Sequence, residues 1–87
     1  MLNYSVASMN IGDWRVAIEE EIDTHNGEVY DRTFAISKAD MRETFHSLIE
    51  AVEFAQSMTG NKSINSWAYV EQLSKQAQEF YIKEGIK

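Results

Sequence analysis

The sequence predicts an α+β fold in which a three-stranded antiparallel meander, in the order 1-2-3, is followed by two α-helices packed on one face of the sheet. Apolar residues alternate with a period of two over residues 1–36 and then recur with a period of about 3.6 over 38–59 and 66–84. A chain of 87 residues, 44% of them hydrophobic, is the size of one domain with one core. The expected architecture is therefore βββαα in a single domain, 1–87.

The three strands are separated by turns that contain glycine. A three-residue loop ending at a left-handed Gly27 aligns Ile22 with Tyr30, whereas a two-residue turn there would put the apolar residues of the two strands on opposite faces. A loop of the same length in the first turn places Val6 beside Val16. With these registers the sheet has one apolar face.

Helix 1 is predicted over 38–59. Ser37 with Asp40 three residues later is close to a capping box, and Gly60 follows where a left-handed C-terminal cap is expected. Helix 2 is predicted over 66–84 and ends before Gly85. Two amphipathic helices above one apolar sheet face would bury both kinds of apolar surface at once.

The sequence carries no signature of a catalytic, metal or nucleotide site. The absence of cysteine excludes thiolate nucleophiles and thiolate ligands, and the glycines are too far apart for a phosphate-binding loop. The nearest approach to a metal motif is Glu43 with His46 three residues later, but a di-iron site needs two such pairs and further glutamates. We therefore expect no enzyme activity, no cofactor and no metal.

Charge and hydropathy restrict the partners further. The formal net charge of −6 disfavours direct binding to nucleic acid or to an anionic membrane. No apolar run approaches the roughly 20 residues that cross a bilayer, and the N-terminus lacks the basic start and apolar stretch of a signal peptide. Together with the lack of cysteine, these features predict a cytoplasmic protein that contacts no membrane.

The negative charge is concentrated in one part of the chain. Eleven of the fourteen Asp and Glu residues lie between Asp13 and Glu53. Glu21 is expected opposite Asp31 across the strands, and such a like-charged pair is destabilising. These acids form either a docking surface for a basic partner or a solvated face that blocks edge pairing and aggregation. The docking surface would consist of acids near the tip of the hairpin formed by strands 2 and 3, namely Glu19, Glu21, Asp23, Glu28 and Asp31.

Glu20 differs from its neighbours because it falls on the inner face of the sheet. An unpaired carboxylate would be costly there, and Arg32 is expected opposite it on the next strand. The two residues predict a structural ion pair, in which the arginine stem covers apolar surface. A catalytic role for Glu20 would need an acid or base partner and a cleft, and the sequence identifies neither.

Three large side chains are considered apart from the core: Phe54 and Trp67 fall off the predicted apolar stripes of the helices, and Met58 lies one helical turn from Phe54. Phe54 and Met58, with Ala51, form a strip that either contacts helix 2 in the same molecule or anchors a partner. Trp67 either covers the end of the core or contributes to the same partner contact. We include all three among the candidate partner-binding residues.

In size and charge the chain resembles small acidic α+β inhibitors carried by bacteriophages and mobile elements. The resemblance covers overall character and implies a protein whose carboxylates stand in for phosphates on the basic surface of a partner protein. The expected function is therefore a small acidic protein-binding module, with a nucleic-acid-mimicking inhibitor as its most specific form. The alternative is a homo-oligomeric structural or adaptor domain, such as a homodimer, with no electrostatic target. An enzyme or ligand-binding domain would require a deep apolar pocket with converging polar groups.

Overall fold

A computed structural model describes residues 2–60 and 65–85 of the chain. Within those residues, four strands form one antiparallel sheet in the order β1-β2-β3-β4, and both helices pack on its inner face. The α+β class with an antiparallel sheet and two helices is confirmed, whereas the predicted number of three strands is wrong. The elements are β1 (Leu2–Ile11), β2 (Trp14–Ile22), β3 (Val29–Lys38), β4 (Met41–Phe45), α1 (Leu48–Thr59) and α2 (Ser66–Glu84).

The fourth strand occupies the stretch that was predicted to open helix 1. β3 continues to Lys38, which pairs with Met41 across a tight turn formed by Ala39 and Asp40. Ala39 has a φ of +53°, the left-handed conformation that short hairpin turns require. The pairing then continues to the end of β4, so that the meander gains a strand instead of passing into a helix.

Helix α1 begins at Leu48 instead of residue 38, because its N-cap is Ser47 and not Ser37. The Ser47 hydroxyl accepts a hydrogen bond from the backbone N–H of Glu50 at 3.4 Å and donates one to the Glu50 carboxylate at 3.0 Å. A serine followed by a glutamate three residues later is the sequence of a capping box. The helix ends before a left-handed Gly60, as predicted.

The first hairpin is tighter than predicted. Its strands are joined by a two-residue turn that begins with Gly12, whose φ is +60°. As a result Val16 lies opposite Met9 and not beside Val6. A β-bulge at Val6 shifts the register between the pair Ser5–Glu19 and the pair Ala7–Ile18. Because of this bulge, Val6 and Ala7 both face the core, and both are buried.

The second hairpin has most of the predicted register. Gly27 is left-handed, with a φ of +73°. Ile22 lies opposite Val29 instead of Tyr30, because a second bulge accommodates Tyr30, which is 57% exposed. The other predicted pairs of this hairpin are present: Ile18 with Phe34, Glu20 with Arg32 and Glu21 with Asp31.

The core lies between the inner face of the sheet and the two helices. Helix α2 runs antiparallel to β1, since the Phe80 ring lies 5.7 Å from that of Tyr4, while Gln76 binds the backbone of Ser8. The C-terminal end of α2 therefore lies near the loop between β2 and β3, and its N-terminal end lies at the opposite end of the sheet. Among the described residues, no helix is long and apolar enough to cross a membrane. The largest fully buried side chains are Ile11, Ile22, Ile36, Leu73, Glu20, Val16 and Val52.

Candidate functional site

Four of the predicted partner-binding acids gather at the end of the sheet where β2 and β3 are joined. We call Glu21, Asp23, Glu28 and Asp31 the acidic tip. The strand register places Glu21 directly opposite Asp31, on the face away from the helices. Asp23 and Glu28 bound the connecting loop, where the Asp23 N–H donates to the Glu28 carbonyl oxygen at 2.9 Å. Glu28 and Asp31 are exposed, and Glu21 and Asp23 are half-buried.

Glu19, the fifth predicted acid, is engaged within the molecule. Arg42 reaches from β4 across β3 and donates to both carboxylate oxygens of Glu19, at 2.6 Å and 3.2 Å. This hydrogen bonding is the main reason that the pKa of Glu19 lies below its ordinary value of 4.5, and the charges of Arg42 and Arg15 act in the same direction against the effect of burial. Glu19 is therefore neutralised by Arg42 and is separate from the acidic tip.

Two carboxylates of the acidic tip accept backbone hydrogen bonds. Asp23 accepts a hydrogen bond from the backbone N–H of His25 at 2.8 Å, and Asp31 accepts one from the backbone N–H of Arg32 at 2.9 Å. These bonds orient the two carboxylates, and the strand register leaves Glu21 facing the like-charged Asp31. In residues 2–60 and 65–85 the salt bridges are Arg32–Glu20, Lys38–Asp13 and Arg42–Glu19, and none of them includes a residue of the acidic tip.

Glu20 is fully buried, with 0% of its surface exposed, and both of its carboxylate oxygens are bound. Arg32 Nε donates to Oε2, and the Tyr81 hydroxyl donates to Oε1, each at 2.5 Å. Burial of Tyr81 and its hydrogen bond to Glu20 raise the pKa of the phenol, and the hydrogen bond to Glu20 likewise raises the pKa of Arg32. The structure thus brings the predicted pair together and adds Tyr81 from α2, so that each oxygen of the buried carboxylate accepts a hydrogen bond.

A groove of about 580 Å³ opens beside the acidic tip, between the β2–β3 loop and the C-terminal end of α2. Its lining includes the acidic residues Asp23 and Glu84 together with Tyr4 and Ile22. An apolar stem with a cationic head, as in lysine or arginine, matches this combination. The groove therefore extends the acidic surface in a form that suits a basic side chain of a partner.

The predicted aromatic strip lies apart from the acidic tip. Phe54 is 38% exposed, and its ring contacts those of Phe45 and Trp14, with centroids 5.4 Å and 6.5 Å apart. The aromatic partners of Phe54 are thus on the sheet. Met58 is 57% exposed beside the β1–β2 turn, and Trp67 is 63% exposed at the start of α2. All three residues lie towards the other end of the sheet from the acidic tip.

The spacing of Glu43 and His46 has no helical context, because Glu43 lies on β4 and His46 follows that strand. In the described part of the chain, no group of three or more His, Cys, Asp and Glu side chains is arranged to hold a metal ion. No protein-family model, curated protein or solved structure matches the chain. The function is therefore inferred from the chain's own residues, among which the acidic tip groups four acids that form no salt bridge with the described residues.

Proposed function

We propose that the protein is a small acidic protein-binding module that docks its acidic tip on a basic surface of a partner protein. One observation carries the proposal: Glu19 and Glu20 are each bound to an arginine, whereas the adjacent acidic tip has no cationic partner among the described residues. A like-charged pair such as Glu21 and Asp31 lowers stability, and conflicts of this kind are expected at functional sites. A basic partner would supply the missing positive charge.

The partner surface that fits best is one that normally holds nucleic acid. Such surfaces are rich in lysine and arginine arranged to meet phosphates, and the carboxylates of the acidic tip would take the place of those phosphates. The protein would then inhibit its partner by competing with DNA or RNA, as the resemblance to inhibitors of bacteriophages and mobile elements implies. We place this function in the cytoplasm, where nucleic-acid-handling proteins work. Electrostatic docking of this kind is fast and weakens as salt is added.

The test compares the wild type with two variants that change the net charge equally. The tip variant converts the four acids to amides, which retain an oxygen for the backbone hydrogen bonds of Asp23 and Asp31. The control variant converts four exposed acids elsewhere. The substitutions are Glu21→Gln, Asp23→Asn, Glu28→Gln and Asp31→Asn in the tip variant, and Glu43→Gln, Glu53→Gln, Glu71→Gln and Glu79→Gln in the control.

Each protein is immobilised and exposed to the heparin-binding fraction of a bacterial lysate, first at about 0.1 M salt and then at about 1 M salt. Over this range the Debye length falls from about 10 Å to about 3 Å, so electrostatic attraction is screened. We expect the wild type and the control variant to retain the same protein at low salt only, and nucleic acid to displace it. The tip variant should retain none of it. Retention of that protein by the tip variant, or its equal loss from the control variant, would contradict the proposal.

A further inference from the structure

Strand β1 is an outer strand of the sheet and carries no charged residue. Its ten residues, Leu2–Ile11, also lack proline. The outer strand on the opposite side, β4, has Arg42 and Glu43. Proteins usually protect an exposed strand edge with charges or proline, because its unpaired backbone groups can bind another strand. β1 is therefore a candidate for pairing between molecules.

The hydrogen bonds identify the backbone groups that point outward from this edge. The Ser8 N–H donates to the Gln76 side chain at 3.1 Å and not to β2. Residues of an antiparallel strand alternate between pointing towards the neighbouring strand and away from it, so Asn10 also points outward. The β-bulge reverses the alternation. On its other side the outward residues are Ser5 and Asn3.

We propose that β1 pairs antiparallel with β1 of a second copy of this chain, which joins two four-stranded sheets into one. In the proposed register, Asn3 lies opposite Asn10 of the second copy and Ser5 lies opposite Ser8. This is the one antiparallel register in which every outward residue meets another outward residue, because two of them lie on each side of the bulge. Each of these pairs can exchange two backbone hydrogen bonds.

The side chains on the inner face fit the same register. Leu2, which is 56% exposed, comes to lie beside Ile11 of the second copy, and the half-buried Tyr4 comes to lie beside Met9. On the outer face the paired side chains are short and uncharged. Both faces of the joined edge are therefore compatible with close approach.

For two copies of the chain, charge favours the antiparallel over the parallel arrangement. Each chain has a net charge of −6, and its acidic tip lies at the end of the sheet where β1 begins. Antiparallel pairing places the two tips at opposite ends of the dimer, whereas parallel pairing would place them side by side. The dimer leaves both tips free to bind a partner, so this inference and the proposed function can fail independently.

Gln76 occupies the edge in the single copy. Its side-chain oxygen accepts the Ser8 N–H, which in the dimer would donate to the backbone of Ser5 of the second copy. Gln76 is exposed and can turn to solvent when the strand binds. In the single copy, α2 packs along β1 and its Gln76 binds the middle of the edge, and a second strand would replace that hydrogen bond.

A disulfide tests the register, since the chain has no cysteine of its own. In the double variant Ser5→Cys/Ser8→Cys, the new cysteine at position 5 of one copy lies opposite the new cysteine at position 8 of the other. Their Cα atoms would be about 5.5 Å apart. This distance is inside the roughly 4.4–6.8 Å range found in disulfides. Within one copy the two positions are about 10 Å apart along the strand. We expect oxidation to link the double variant into dimers while each single variant stays unlinked. Equal linking of a single variant, or no linking of the double variant, would overturn the proposal.

Sedimentation tests the interface without a cross-link. We expect the wild type at high micromolar concentration to have twice the 10.0 kDa mass of one chain. Asn10→Pro removes an outward N–H without removing a bond to β2, so it should give a folded monomer, whereas Asn10→Ala should still dimerise. If circular dichroism shows that Asn10→Pro is unfolded, Asn3→Pro provides the same comparison near the start of the strand. A monomeric wild type, or a folded proline variant that dimerises like the wild type, would refute the pairing.

Discussion

Replacing Arg32 with methionine tests how the buried carboxylate of Glu20 is stabilised. Methionine keeps the apolar stem of the side chain but removes the guanidinium that donates to Glu20. Glu20 would remain at 0% exposure with the Tyr81 hydroxyl as its remaining hydrogen-bond donor among those the structure describes. A buried carboxylate that loses its counter-ion is strongly destabilising.

The expected loss of stability follows from the burial of the two partners. Removing one member of a buried ion pair costs about 3–5 kcal/mol, and the lower end applies because the Arg32 side chain is 50% exposed and Tyr81 still donates. We therefore expect a loss of about 3 kcal/mol, against a total of roughly 4–13 kcal/mol for a domain of this length. In domains of this size, 1 kcal/mol corresponds to about 4–8 °C, so the Tm should fall by about 12–24 °C.

Urea denaturation at pH 7 measures the effect, with Arg15→Met as the matched control. Arg15 lies on the same sheet but binds the Ser5 hydroxyl on the outer face, so its replacement should cost less than about 1 kcal/mol. The double variant Arg32→Met/Glu20→Met should recover most of the lost stability, because it removes the buried charge together with its partner. The reasoning would be refuted if Arg32→Met cost no more than Arg15→Met.

Two further predictions concern the fourth strand. Ala39→Gly should stabilise the protein by about 0.5–1 kcal/mol, because glycine adopts the left-handed turn conformation without strain. The control Ala68→Gly, in α2, should destabilise the protein by about 1 kcal/mol. A loss of stability at both positions would argue for a helix at residue 39. Arg42→Gln should lower stability at pH 7, but the difference from the wild type should shrink as the pH falls below 4.5. The lowered pKa of Glu19 means that its contribution is present above that pH and is lost as the carboxylate is protonated; an equal difference at pH 7 and pH 3, measured by urea denaturation, would show that Arg42 acts by other means.

The alternation of apolar residues and the left-handed Gly27 were sufficient to predict the register through the middle of the second hairpin. They could not reveal β4, because Met41 and Phe45 are four residues apart and fit a helical stripe as well as a strand that alternates through Glu43. Ser37 and Asp40 have the spacing of a capping box and therefore led to the prediction of a helix start in the wrong place. The true start, Ser47 with Glu50, has the full Ser-x-x-Glu pattern and could have been recognised.

Because β4 was predicted as part of a helix, one contact of the candidate site was also missed. With Arg42 assigned to a helix, its bond to Glu19 could not be foreseen, and Glu19 was grouped with the free acids. Glu20 and Arg32 could be paired from the strand register alone. Tyr81 could not be added to them, because its position depends on how α2 lies on the sheet, and periodicity along the helix does not specify that.

The measurement that tests the central claim most directly is the salt dependence of the affinity between this protein and the partner it retains, for the wild type and the tip variant. If the acidic tip docks on a basic surface, the wild-type affinity falls steeply between about 0.1 M and about 1 M salt. The tip variant should bind weakly at every salt concentration, with little dependence on salt. Equal affinities with equal salt dependence in the two proteins would show that the acidic tip is a solvated surface and that the contact lies elsewhere.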